Sequence, residues 1–168
     1  MEGLAATVFR PMRWWDIAPV MELEHELFAE DAWRPEMFWS ELAQTDTRHY
    51  LVAQDGSGPP NVSARIAGYA GLLTGPDDAD IQTIAVRQSH WGTGIGATLL
   101  GTLLREAARR GCDRVLLEVR VDNERAQALY RRFGFTPVGV RRGYYQPSGA
   151  DGLVMCLAGV RERVGADG

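Results

Sequence analysis

The hydrophobic positions change period along the chain, and the changes mark out its elements. Residues 7–12 read as a first strand. Ile17, Val20, Met21, Leu23, Leu27 and Phe28 then recur at helical spacing, predicting a helix that starts at an Asp16 N-cap and runs to about Leu27. Pro35 in a first turn, followed by Met37, Phe38 and Leu42, predicts a second, short helix with Trp33 in the loop between them. Residues 49–54 alternate as a strand and residues 64–74 make another, with Asp55-Gly-Ser-Gly-Pro-Pro between them, which predicts an antiparallel hairpin. Gly75-Pro-Asp-Asp turns the chain into an apolar strand at 81–86. A helix follows at 94–110 and an apolar strand at 114–121. Asn123 can cap a helix over Glu124–Arg132 that closes at Gly134, and strands at 136–141 and 152–157 flank a loop containing Tyr144-Tyr145-Gln146-Pro147. The order βααβββαβαββ predicts an α/β protein whose mixed sheet has helices on both faces. Residues 1–158 form one domain in this reading, and the last ten residues are expected to fray.

One stretch within this order stands out. Between the strand at 81–86 and the helix at 94–110, Gly92, Gly94 and Gly96 alternate in the sequence Arg87-Gln-Ser-His-Trp-Gly-Thr-Gly-Ile-Gly-Ala. Lacking Cβ atoms, such residues let the backbone approach a ligand closely, and the helix start points its positive end at the same place, so the expected guest is an anion. Three readings fit the loop: a simple turn, a dinucleotide site and a coenzyme A site. A P-loop is excluded because no Gly-Lys-Ser/Thr follows, and all 18 basic residues are arginine. Gly92, Gly94 and Ala97 do match G-x-G-x-x-A, with Glu118 about 20 residues on. However, Arg87 to Trp91 separate the strand from the first glycine, and only about 70 residues remain after the loop, too few for a doubly wound sheet.

Composition narrows the classes without choosing among them. At 168 residues, 45% hydrophobic and 24% charged, the chain is ordinary globular material. The opening Met-Glu has no basic segment followed by an apolar one, and no run approaches 18 apolar residues, so neither a membrane nor secretion is expected and a cytoplasmic protein is. Cys112 and Cys156 lie far apart with no clustered histidine, which argues against a disulfide framework or a metal site and for two buried small hydrophobes. The net charge of −4 hides an asymmetry: residues 1–86 carry 5 arginines against 14 acidic residues, and residues 87–168 carry 13 against 8. A basic half holding the glycine loop suits a polyanionic cofactor, and an acidic half suits a cationic substrate. An acidic chain gives no support to nucleic-acid binding.

Two side chains interrupt otherwise apolar surfaces. Glu118 shares a face of its strand with Leu116 and Arg120, opposite Val115, Leu117, Val119 and Val121, and by itself reads as a partly exposed carboxylate paired with a neighbouring arginine. Tyr130 falls on an inward stripe with Ala126, Leu129 and Phe133, and by itself reads as a core tyrosine.

Taken together, the segment Val86 to Leu100, Leu117-Glu118-Val119-Arg120, Asn123, Ala128-Leu129-Tyr130 and Phe133-Gly134-Phe135 resembles the acetyl-CoA-binding core of the GNAT N-acetyltransferases. Arg141-Arg142-Gly143-Tyr144-Tyr145, with Trp33 and Phe38, is similar to the RimI-type members, which acetylate the N-terminus of a small-subunit ribosomal protein. The resemblance spans roughly residues 6 to 158. It implies the GNAT fold, with a mixed, mostly antiparallel sheet, and acetyl-CoA as co-substrate. It also implies direct acetyl transfer to the α-amine of a protein or peptide N-terminus by a monomer or weak dimer, without metal. By the same resemblance the backbone of Ile84, Ala85 and Val86 pairs with the pantetheine arm, and Gly92, Thr93, Gly94, Ile95, Gly96 and Ala97 surround the pyrophosphate. Asn123 and Tyr130 touch the cofactor, Glu118 is the base, Tyr130 the acid, and Trp33, Tyr144 and Tyr145 meet the substrate. Acetylation of lysine or of small-molecule amines, and a non-catalytic CoA-binding role, are the alternatives. In one place the chain departs from the family pattern Q/R-x-x-G-x-G/A: Trp91 stands at the position of the Gln or Arg, and Gly92 and Thr93 replace a bulkier basic pair.

Overall fold

A computed structural model describes residues 7–56 and 65–166. Its elements are β1 (Val8–Pro11), α1 (Ile17–Phe28), α2 (Pro35–Leu42), β2 (Arg48–Gln54), β3 (Ile66–Thr74), β4 (Asp78–Val86), α3 (Ile95–Arg109), β5 (Arg114–Arg120), α4 (Glu124–Arg132), β6 (Thr136–Arg141), β7 (Gly152–Ala158) and α5 (Val160–Ala166). The strands form one seven-stranded sheet in the order β1-β2-β3-β4-β5-β7-β6. Every neighbouring pair is antiparallel except β4 and β5. The expected mixed, mostly antiparallel sheet is therefore the one observed.

Helices cover both faces of the sheet. On one, the stripe Ile95, Leu99, Leu100, Leu103, Leu104 and Ala107 of α3 is buried against Leu51, Ala70, Leu72, Val115, Leu117 and Val119, with Tyr130 and Phe135 closing the layer. On the other, Ile17, Val20, Met21 and Leu23 of α1 and Phe38 of α2 pack on Tyr50, Val52, Ile66 and Tyr69. Each fully buried Leu, Ile or Phe contributes about 1.5–3 kcal/mol of transfer free energy, so these two layers hold the strands that carry the site.

Some local expectations change. The strand expected at residue 81 begins at Asp78, because Asp78 to Ile81 pair with Arg114 to Leu117. Asp16 precedes α1 but its carboxylate caps no amide of that helix. It instead accepts two hydrogen bonds from the Arg10 guanidinium, at 2.7 and 2.8 Å, and one from the Arg13 N–H at 2.8 Å. The expected frayed end is a helix, α5, whose Val160 is fully buried against the α3 layer. Cys112 is buried as expected, while Cys156 is only partly so; both are free thiols. Ala64 and residues 57–60 of the expected hairpin loop lie outside the described residues. Among the described residues no helix is long and apolar enough to cross a membrane.

One irregularity organises the centre. Gly71 pairs with Thr83 and Leu72 with Ile81, so Gln82 is an extra residue bulged out of β4. Tyr50 holds it there. Its hydroxyl donates to Gln82 Oε1 at 2.6 Å, and its ring lies so close to Gly71 that a Cβ there would come within 2.3 Å of it. The β4–β5 pairing ends at Ile81 and Leu117, just before this bulge. Beyond it the two strands diverge, and Thr83 to Val86 keep β3 on one edge with no strand among the described residues on the other.

Candidate active site

The divergence opens a cavity of about 970 Å³. Ile84, Ala85 and Val86 form one wall, Gly92, Gly94, Ile95, Gly96 and Ala97 the end, and Asn123, Leu129 and Tyr130 of α4 the opposite wall. Residues 28–31, at the end of α1 and just beyond it, form its rim. Sequence reasoning had named most of these residues, and the fold brings them together.

The glycine loop is an open cradle of donors. Gly92 and Gly94 take φ of +78° and +90°, a backbone region that disfavours any side chain, and a Cβ at either would meet nothing within 4 Å. The first helical hydrogen bond of α3 runs from Thr98 N–H to Gly94 O at 3.0 Å. From Gly92 through Ala97, no amide N–H meets an acceptor among the described residues. Unpaired amides at a helix start make an anion site. Gly96 has a different reason to be glycine: a Cβ there would lie 3.3 Å from Leu129, so it allows α3 and α4 to approach. Thr93 does not line the cavity; its hydroxyl donates back to His90 O. Asn123 uses its side chain to cap α4, accepting from Ala126 N–H at 3.1 Å.

Tyr130 is 4% exposed and turned to the cavity by α4, whose inward stripe also carries Leu129. Its hydroxyl has no hydrogen-bond partner among the described residues. Burial raises its pKa above the ordinary value, and the nearby Tyr145 adds to the rise, so it is protonated at neutral pH.

Glu118 lies on the other face of β5 and does not line that cavity. Val119 and Leu117 point to the α3 layer, leaving Glu118 on the face from which Tyr144 and Tyr145 approach. Its carboxylate is 3.3 Å from the Arg141 guanidinium of β6. Burial raises its pKa; Arg141 opposes the rise and Asp80 reinforces it. Asp80 pairs with Leu116 across the β4–β5 ladder, two residues before Glu118, so the two carboxylates share a face at the point where the strands part. The sequence reading gave neither Asp80 nor Arg141 a role, though the alternation of Asp78, Asp80 and Gln82 against Ala79 and Ile81 carried the signal for Asp80.

Tyr144 and Tyr145 meet edge to face at 5.1 Å, with Arg141 5.7 Å over the Tyr144 ring and Arg120 5.9 Å over that of Tyr145. Asp31 ties this loop to the α1–α2 loop. Its carboxylate accepts from Ser148 N–H at 3.1 Å and from the Ser148 hydroxyl at 2.5 Å, and pairs with Arg120 at 2.9 Å. The Ser148 hydroxyl in particular holds the Asp31 pKa below the usual range. Trp33, expected to face substrate, does not line the cavity: its ring packs on Phe38 at 4.9 Å, and its backbone N–H donates to buried Glu24 at 2.9 Å. Two helices meet over it, and the apolar gain of filling that corner decides its direction.

The sequence from residue 14 to residue 135 matches the Acetyltransferase (GNAT) family. The chain belongs to that family. It is 44% identical over 139 residues to the N-alpha-acetyltransferase RimI of Mycobacterium tuberculosis, covering 80% of this chain and 81% of the relative. With the [ribosomal protein bS18]-alanine N-acetyltransferase of Escherichia coli it shares 34% identity over 126 residues, 71% of this chain and 80% of that one. The crystal structure of the Escherichia coli ribosomal-protein-S18-alanine N-acetyltransferase superposes with a TM-score of 0.75 at 26% identity, covering 92% of this chain and 94% of the other. Arabidopsis thaliana NAA60, solved with acetyl-CoA, has the same fold at 19% identity, with a TM-score of 0.79 over 91% of this chain and 98% of its own. This GNAT member is an acetyl-CoA-dependent N-acetyltransferase, and acetyl-CoA is its co-substrate.

Proposed function

We propose that the enzyme acetylates the α-amine of a protein N-terminus, with the N-terminal alanine of ribosomal protein bS18 as substrate, in the cytoplasm. The names of the relatives support the substrate. The observation that carries the mechanism is the parting of β4 and β5, which leaves Tyr130 on one side of a gap and Glu118 on the other. In this reading the unpaired edge of Ile84, Ala85 and Val86 receives the pantetheine arm as an added strand. The amides from Gly92 to Ala97 hold the pyrophosphate, with Asn123 beside the cofactor, and the thioester lies in the gap. The peptide enters from the face of Tyr144 and Tyr145, while Trp33 acts from beneath by fixing the α1–α2 loop.

The amine nitrogen attacks the thioester carbonyl; the N–C bond forms, the C–S bond breaks, and the acetyl group moves to nitrogen. The nitrogen gives a proton to Glu118, directly or through water, and the departing sulfur receives one from the Tyr130 hydroxyl. Burial raises the Glu118 pKa, which makes it a better base, and Arg141 opposes that rise. A Tyr130 pKa above 10 exceeds that of an ordinary thiol, near 8.5, so a finished transfer to sulfur is uphill by about 2 kcal/mol or more. Tyr130 therefore donates a hydrogen bond to the developing thiolate and releases its proton only as the C–S bond breaks. An α-amine titrates near 8 and a lysine near 10.4, so neutralising lysine at pH 7 costs about 3 kcal/mol more, which favours the N-terminus. The Glu118→Gln variant should lower kcat for an alanine-initiated peptide at least about tenfold at pH 7 and leave acetyl-CoA affinity unchanged. An unchanged kcat would remove Glu118 as the base.

A further inference from the structure

The segment Trp91-Gly92-Thr93-Gly94-Ile95 contains no basic side chain, although it begins where the family pattern has Gln or Arg. A doubly charged pyrophosphate there would meet amide dipoles alone. A cation reaches the loop from another element. The Trp91 indole N–H donates to Val86 O at 2.8 Å, which ties the ring to the end of β4 and sets its plane. The Arg125 guanidinium, from the first turn of α4, lies over that ring with its carbon 4.0 Å from the ring centroid. Both side chains line the cavity. Arg120, also in its wall, is committed to Asp31 and Asp122. Arg125 has no carboxylate partner among the described residues.

We propose that Trp91 and Arg125 form a phosphate clamp, in which the indole holds the guanidinium beside the glycine loop and the guanidinium binds the pyrophosphate of acetyl-CoA. The assignment rests on the reading of that loop as the pyrophosphate site. Its chemistry is consistent with both contacts at once: stacking uses the flat face of the guanidinium, while its N–H groups point outward in the plane, in a fork that fits two phosphate oxygens. An arginine already held over a ring also loses less side-chain freedom on binding than one free in solvent. Trp91 is thus more than the loss of a basic residue, because it recruits one from α4.

Calorimetric titration of the full chain with acetyl-CoA and with acetyl-3′-dephospho-CoA tests the clamp. The Arg125→Gln variant should raise Kd about tenfold for both cofactors, the scale of one charge-assisted hydrogen-bonded pair. Trp91→Ala should raise it about fivefold, and the double variant no more than about twofold beyond Arg125→Gln, since the ring acts through the guanidinium. Arg125 is exposed and pairs with no carboxylate among the described residues, so its replacement is compatible with folding and decides the matter should Trp91→Ala fold poorly. An Arg125→Gln Kd within twofold of wild type would overturn the clamp. A loss confined to the cofactor bearing the 3′-phosphate would also overturn it, as would additive effects of the two variants. The Gly94→Ala variant separates the two claims: if it weakens binding and Arg125→Gln does not, the clamp fails alone; if neither does, the loop assignment fails with it.

Discussion

Replacing Gly94 with alanine isolates the contribution of the cradle's shape. At φ +90° and ψ near 0° the added methyl meets no atom within 4 Å, so the cost is conformational and not steric. Holding a non-glycine residue in this left-handed region costs about 1–2 kcal/mol. Where that cost is felt depends on what the loop can do. Among the described residues no atom comes within 4 Å of a Cβ at Gly94, so the variant's loop should relax in the free protein and need rebuilding when the pyrophosphate binds. The strain then appears in affinity: 1–2 kcal/mol raises the acetyl-CoA Kd about 5- to 30-fold. Gly111, just past the other end of α3, supplies a matched control, with φ +89° and equally open space. Its N–H helps close the helix by donating to Ala108 O at 3.0 Å, far from the loop. Gly111→Ala should therefore lower Tm by several degrees and leave Kd unchanged. Titration calorimetry and thermal melts of both variants make the comparison. A Gly94→Ala protein whose Kd stays within twofold of wild type would refute the claim that these amides carry the cofactor.

Two further expectations concern the reacting groups. Tyr130→Phe should slow single-turnover acetyl transfer about 100-fold while Tm moves by no more than about 2 °C, because the hydroxyl has no partner among the described residues to lose; an undiminished rate would remove it as the acid. The base must be ionised, so kcat/KM should fall as pH drops through an apparent pKa above the ordinary Glu value of about 4.3, in line with the raised Glu118. Asp80→Asn removes the neighbouring negative charge and should move that limb to lower pH, whereas Arg141→Gln removes the opposing positive charge and should move it higher. Shifts in the same direction, or none, would show that these groups do not govern the base.

Much of this arrangement was legible before any coordinates. The period-two and period-3.6 runs placed the sheet and the main helices, since a buried face imposes its spacing on the sequence. The glycine loop and Glu118 stood out because each breaks a local pattern, whereas Tyr130 follows its helix stripe and stood out only through the family resemblance. What could not be read was set by contacts between distant segments. Asp16 looked like a helix cap until Arg10, on β1, claimed its carboxylate. The family resemblance assigned Trp33 to the substrate, but its ring packs on Phe38 and its backbone N–H donates to Glu24, which hold it against the core. The bulge at Gln82, which parts β4 from β5, depends on Tyr50 lying over Gly71, 21 positions along the chain. The link from Asp31 to Ser148 spans 117 positions and leaves no local trace. Trp91 read only as a departure from the family pattern, because its partner Arg125 lies 34 positions on, in α4.

The substrate amine is the most direct test of the whole account. The enzyme, acetyl-CoA and a peptide beginning with alanine and carrying one internal lysine can be incubated together, and fragmentation mass spectrometry then locates the acetyl group. The account predicts one acetyl group on the alanine nitrogen and none on the lysine, with a large loss of product in Glu118→Gln. Acetyl found on the lysine side chain alone, or acetyl-CoA hydrolysed with the peptide unmodified, would contradict it.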